Sequence, residues 1–187
     1  MADAGNHILT ESDLIRGCIA GERRMQEELY KRFSSKMYAV CLRYASNSDD
    51  AQDVLQDGFV KIFKNLEKFR GEGSFEGWIR RIFVNTAIEH LRRKTQMISI
   101  GEKEERSIPL PEKNALDNLA EKDILALIQQ LSPGYRTVFN MYVIEGYTHK
   151  DIGEILGISE GTSKSQLARA RVILQNMVKE HLYKKNG

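Results

Sequence analysis

The period of the apolar residues constrains this chain more than any other feature. Met25, Leu29, Phe33, Met37, Val40, Cys41 and Tyr44 recur at helical spacing, singly or as adjacent pairs three or four positions apart, as do Val54, Leu55, Phe59, Ile62, Phe63 and Leu66. No segment sustains the two-residue alternation of a half-buried strand, so each run predicts one buried helix face. The expected fold is all α. Within 187 residues there is room for one domain or two small ones.

Local punctuation divides the helices. Thr10 followed by Asp13 has the form of a capping box opening a first helix. The stretch RGEGS, residues 70–74, breaks the third, and a fourth starts near Phe75 and carries Trp78, Ile79, Ile82, Phe83, Ala87 and Leu91. These four helices predict a first domain over residues 1–94. Residues 95–115 turn to mixed charge, Ser, Gly and the pair Pro109 and Pro111, which reads as a flexible linker. A second domain, 116–187, then opens with Leu116, Leu119, Ile124, Leu127, Ile128 and Leu131 on one helical face. Ser132 and Pro133 look like an N-cap and first helical residue, Val138, Met141 and Tyr142 ride on that helix, and Gly146 ends it.

The stretch THKDIGEILGISEGTSKSQLARAR, residues 148–171, reads as helix, turn, helix. Thr148 caps a helix with Ile152, Ile155 and Leu156 inward, Gly153 permits a close crossing, and Gly157 supplies the turn. Ser159 caps the next helix, which buries Leu167 and Ala170. This is the grammar of a DNA-reading helix-turn-helix, and on spacing alone a structural helix hairpin shares part of it.

Charge is uneven along the chain. Overall Lys and Arg number 28 against 26 Asp and Glu. Locally, Asp49, Asp50, Asp53 and Asp57 stand together, whereas Arg80, Arg81, Arg92, Arg93 and Lys94 dominate the fourth helix and basic residues dominate after Gly161. An acidic face and two basic faces predict two kinds of partner. The start, MADAGNHILTESD, lacks the features of a signal peptide, and no apolar run approaches a membrane span, so a cytoplasmic protein is expected. Cys18 and Cys41 fall within helical apolar patterns and read as core thiols. The carboxylates lack a third ligand at metal-binding spacing, and no phosphate-binding loop or activated nucleophile is visible. No metal, cofactor, small-molecule substrate or catalytic activity is therefore expected.

Two blocks carry a family resemblance. DAQDVLQDGFVKIFKNLEKFRGEGSFEGWIRRIFVNTAIEHLRRK, residues 50–94, resembles the second region of sigma-70 family sigma factors of the extracytoplasmic-function group. LSPGYRTVFNMYVIEGYTHKDIGEILGISEGTSKSQLARAR, residues 131–171, resembles their fourth region. The resemblance implies a bacterial initiation factor, monomeric when free, that binds core RNA polymerase and promoter DNA and is commonly restrained by an anti-sigma factor. The first domain would handle the -10 element and open the duplex; the second would read the -35 element. The linker would thread polymerase channels.

The resemblance also implies residue roles. Asp53, Gln56 and Asp57 would meet the polymerase, although acids in an early helical turn also suit the macrodipole as a merely solvated helix start. At the -10 element the resemblance implies Phe69, Phe75, Asn85, Glu89, Arg92 and Arg93, with Asn85 helping to receive a flipped base and the 69–75 loop capturing it. At the -35 element, Ser159, Glu160, Gly161, Thr162 and Lys164 stand at or near the DNA-facing end of the recognition helix. Ser165, Gln166, Arg169 and Arg171 continue it. The family commonly has GTVRSRL where this chain has GTSKSQL, so Ser163 replaces an apolar residue and Lys164 and Gln166 replace arginines. Lys lacks the planar fork that pairs with guanine and Gln favours adenine, which implies a different -35 sequence.

Two other readings also fit the residues. A free-standing helix-turn-helix regulator would bind a symmetric operator without polymerase. A nucleic-acid enzyme using its carboxylates would show metal-dependent turnover abolished by Asp53→Ala or Asp57→Ala.

Overall fold

The computed structural model describes residues 9–98 and 121–186. These are helical and contain no strand. The helices are α1 (Glu11–Ile19), α2 (Arg23–Tyr44), α3 (Ser48–Asn65), α4 (Phe75–Ile98), α5 (Glu121–Gln129), α6 (Pro133–Phe139), α7 (His149–Leu156) and α8 (Glu160–Asn186). A 3-10 turn, Leu66–Lys68, follows α3, and a π-helical turn, Asn140–Ile144, continues α6. Helix α4 continues through 95–98, into the expected linker, because Thr95, Gln96 and Met97 include no helix breaker. The rest of that linker, with Leu116 and Leu119, lies outside the described residues.

Two compact units result, and their division does not coincide with the linker. Of the described residues, the first combines those up to Cys41 with Gln52–Thr86; the second combines Leu42–Ala51 with those from Ala87 onward.

In the first unit, the Thr10 hydroxyl accepts from the Asp13 amide at 3.1 Å, while the Asp13 carboxylate accepts from the Thr10 amide at 3.3 Å. Each satisfies a donor that the start of α1 would otherwise leave unpaired, and losing such a cap costs about 1 kcal/mol. The hydrogen bond from the Thr10 hydroxyl, followed by its backbone amide, holds the Asp13 carboxyl below its ordinary pKa. Phe33, Phe59, Ile62, Phe75, Ile79 and Phe83 are buried. Phe83 meets Phe59 edge-on, with ring centres 5.3 Å apart. A Cβ on Gly58 would overlap the Phe83 ring, so the glycine is what lets α4 lie against α3. Cys18 is buried as expected, and desolvation pushes its thiol up to about 11.

In the second unit, Leu127, Ile128, Leu131 and Tyr135 pack against Ala170, Leu174 and Val178 of α8. The unit also closes over the end of α2: the Gln129 and Asn140 side-chain amides donate to the Leu42 and Arg43 carbonyls at 3.0 and 2.6 Å. Those carbonyls belong to the last turn, where a helix supplies no amide donors of its own. Arg136 is 2% exposed and donates to the Gln129 carbonyl at 3.0 Å, with burial lowering its pKa.

The π-helical turn changes the phase of the residues beyond it. The Glu145 amide donates to the Asn140 carbonyl at 3.0 Å, one residue farther back than in an α-helix. Val138 and Met141 are buried, as their period predicts, but Tyr142 emerges 36% exposed. Thr148 then forms a second reciprocal cap with Asp151. Gly157, at φ +70, ends α7 in the left-handed conformation that favours glycine.

Candidate nucleic-acid interface

The loop between the 3-10 turn and α4 is built around stacked rings. Ser74 accepts the Gly77 amide at 3.0 Å and so starts α4 on its first turn. Phe75, 1% exposed, meets Phe33 edge-on at 5.7 Å. Above it, half-buried Phe69 lies 5.0 Å from Phe75 and 5.6 Å from Trp78, which is also half-buried. Of the two expected phenylalanines, Phe75 is thus the floor and Phe69 the ring nearer solvent. Along α4, Asn85, Glu89, Arg92 and Arg93 are exposed. Spacings of four and three place Asn85, Glu89 and Arg92 on one side of the helix.

The expected polymerase-binding residues Asp53, Gln56 and Asp57 are exposed along α3. Asp50, by contrast, is partly buried, with a carboxylate oxygen 3.9 Å from His90 Nε2. Beside the acidic row runs a shallow groove between α2 and α3, lined by Tyr30, Tyr38, Gln52, Leu55, Gln56 and Val60. Tyr30 and Val60 are 47% and 45% exposed, so an apolar strip adjoins the carboxylates. The strip is hidden in the sequence because its members share the helical period of the core.

The start of α8 is closely tied to itself. The Ser159 hydroxyl accepts the Thr162 amide at 2.9 Å and shares a hydrogen bond with the Thr162 hydroxyl at 2.8 Å. Ser165 donates to the Thr162 carbonyl at 2.9 Å. Lys164 pairs with Glu160 at 2.7 Å, and that hydrogen bond, reinforced by the charge, holds the Glu160 carboxyl below its ordinary value. Gly161 is exposed and Gln166 half-buried. Farther along, Arg169 donates to the Tyr135 hydroxyl at 3.4 Å, and the Arg171 guanidinium sits 5.9 Å from the Tyr142 ring centre.

Beneath this surface, a Cβ on Gly153 would lie 2.8 Å from the Ile158 carbonyl oxygen. The two helices of the motif therefore cross more closely than any larger residue permits. Ser163 is fully buried, and its hydroxyl lies 2.9 Å from His149 Nδ1. The His149 ring in turn stacks on Tyr142, with centres 4.3 Å apart and planes 20° from parallel. Neither His149 nor Tyr142 belongs to the reading surface expected from the sequence. The signal available is Ser163 itself, a hydroxyl at a position where the resemblance expects an apolar residue.

Among the described residues, no group of three or more His, Cys, Asp or Glu side chains is placed to hold a metal ion. No described helix is long and apolar enough to cross a membrane.

Comparison with known proteins gives both blocks a counterpart. Residues 29–96 match the family model Sigma-70 region 2, and residues 121–174 match Sigma-70, region 4. The chain is 30% identical to the ECF RNA polymerase sigma-E factor of Haemophilus influenzae, over 91% of this chain and 96% of that one. It is also 30% identical to the RNA polymerase sigma-H factor of Pseudomonas aeruginosa, over 86% and 90% of the respective chains. Among solved structures, the sigma factor RpoE of Bartonella quintana, in complex with the anti-sigma factor NepR, shares the fold with a TM-score of 0.52. The identity there is 23%, covering 82% of this chain and 96% of that one.

Proposed function

The chain belongs to the extracytoplasmic-function group of the sigma-70 family, and from that premise we propose that it binds core RNA polymerase and directs it to specific promoters. The observation that carries this reading is the presence of both region matches, in order, on one chain. The free-standing regulator is not favoured, since it has no use for the first of them.

In this reading residues 1–94 bind polymerase and the -10 element, residues 116–187 read the -35 element, and 95–115 connect them. The exposed Asp53, Gln56 and Asp57 offer charge to a basic polymerase surface, with the adjoining apolar strip supplying buried area. Phe69, backed by Phe75 and Trp78, is supported as a stacking platform for an unpaired base, while Asn85 and Glu89 offer polar contacts to its edges. Arg92 and Arg93 meet phosphates. Extracting a base from the duplex costs a few kcal/mol, which capture on such a platform offsets. No catalytic step in the chain itself is required, and the work takes place in the cytoplasm.

At the upstream element the N-terminus of α8, with the hydroxyls of Ser159, Thr162 and Ser165 and the backbone at Glu160 and Gly161, approaches a phosphate, and Lys164 and Gln166 reach base edges. Arg169 and Arg171 flank the contact. Lys164 must exchange Glu160 for DNA when it binds. An anti-sigma factor is the regulator this family membership suggests.

The test is to add the purified protein to bacterial core polymerase with a genomic fragment library and sequence the transcripts. Promoter-specific initiation above core alone is the expected result; transcripts identical to those of core alone would overturn the proposal.

A further inference from the structure

We infer that His149 is a positioning residue for promoter discrimination: through its bond to the buried Ser163 it sets the rotation of the recognition helix α8 on the rest of the motif. This rests on the proposed reading of α8 as the -35 reader.

Ser163 lies between Thr162 and Lys164, on the inward side of the first turns of α8, and is 0% exposed. A buried hydroxyl without a partner is costly, whereas an apolar side chain there would pack without direction. Among the described residues this hydroxyl has one directional partner, His149 Nδ1 at 2.9 Å. The imidazole is itself held from two sides. His149 is the first residue of α7, just behind the Thr148 cap, and its ring stacks at 4.3 Å on Tyr142 of the π-helical turn. Arg171, further along α8, places its guanidinium 5.9 Å from the centre of the same Tyr142 ring.

The bond therefore joins three elements at one imidazole, and what it fixes is angular. An apolar contact tolerates a small roll of one helix on another; a hydrogen bond between residues 14 apart in sequence resists it. At the outer radius of a helix, about 5–6 Å, a roll of about 10° moves a side-chain tip by about 1 Å. That is enough to spoil base-edge contacts by the residue after Ser163, since recognition groups must be held to about 0.5 Å. The Gly153 crossing brings the helices close, and the His149–Ser163 bond sets their roll.

Reconstituted holoenzyme tests this on a promoter fragment that the wild-type holoenzyme selects from the genomic library, and on the same fragment with its upstream element scrambled. His149→Phe keeps a ring to stack on Tyr142 but removes the nitrogen, and Ser163→Ala removes only the hydroxyl in a residue type that favours helix. Each is expected to reduce the ratio of matched to scrambled affinity by about three- to tenfold, the worth of one directional hydrogen bond. His149→Asn, whose amide can occupy the place of Nδ1, is expected to retain most of the ratio. The double variant His149→Phe/Ser163→Ala is expected to lose no more than the worse single variant, because both remove the same bond. An unchanged ratio in Ser163→Ala, equal loss on matched and scrambled fragments, or additive losses in the double variant would each overturn the assignment. Failure of the wild-type holoenzyme to select any promoter would instead overturn the function on which it rests.

Discussion

The two proposed DNA-reading surfaces use opposite physics. The loop before α4 presents the half-buried Phe69 ring against one buried ring, Phe75, and the half-buried Trp78. The start of α8 presents polar groups already satisfied by one another: Ser159 with Thr162, Ser165 with a carbonyl, Lys164 with Glu160. A ring gains from any base stacked on it, so the first surface suits capture of an unpaired nucleotide. A satisfied polar surface gains only if DNA replaces each internal partner with an equally good one. That condition penalises the wrong sequence more than it rewards the right one.

The largest effects separate floor from platform. Phe75→Ala is expected to destabilise the first unit by about 3–5 kcal/mol, the usual range for emptying a buried phenylalanine site, read as a lower urea midpoint. Phe69→Ala should alter that midpoint much less. Its loss should fall on duplex opening, by about 1–3 kcal/mol for one base-stacking ring, seen as weaker fluorescence from a 2-aminopurine in the -10 element with polymerase assembly intact. If both variants lose only stability, the platform half of the comparison is wrong.

Close glycine contacts hold the scaffold beneath each surface. Gly153→Ala sets a methyl against a backbone oxygen at 2.8 Å, and Gly58→Ala sets one against the Phe83 ring. Overpacking costs about 1–3 kcal/mol. The Phe83 ring is itself fully buried and meets Phe59, so neither neighbour yields freely: both variants should melt lower than wild type, Gly153→Ala showing its loss first in amide exchange of α7 and α8 and Gly58→Ala in that of α3 and α4.

On the polar surface, Lys164→Ala removes a proposed base contact but also a pair that must break on binding. A base contact is worth about 1–3 kcal/mol, and a solvent-exposed ion pair contributes little beside it, so a net loss of affinity for the -35 element is expected. Equal losses on matched and scrambled elements would make Lys164 a phosphate contact and remove the sequence-reading part of the comparison.

The two surfaces are also unequally legible in the sequence. Apolar period and end signals give the helices of both units, because caps such as Thr10 with Asp13 and Thr148 with Asp151 act within four residues. The aromatic loop is legible for the same reason, its glycines and rings being neighbours in sequence. The π-helical turn is not, since one extra residue in a helical turn leaves no compositional mark. That turn carries Tyr142 out of the core pattern to which its spacing assigns it. Ser163 is visible as an odd residue at an apolar position, but its partner His149 depends on how two helices cross. Phe69 and Phe75 look equivalent until burial distinguishes them.

The smallest effect tests the internal pairing of α8 directly. Lys164, by hydrogen bond and charge, holds the exposed Glu160 carboxyl below the ordinary glutamate value. A carboxyl with a depressed folded-state pKa contributes its pairing above the unfolded pKa and loses it as pH falls through the folded one. The Glu160–Lys164 contact should therefore be complete at neutral pH and disappear only under acid conditions below the usual glutamate midpoint. Carboxyl NMR titration of the full chain should place Glu160 below a peptide glutamate, and Lys164→Ala should move it upward. An unmoved midpoint would mean that Lys164 is not engaged in solution, and that the recognition helix meets DNA with a free cation rather than one it must first release.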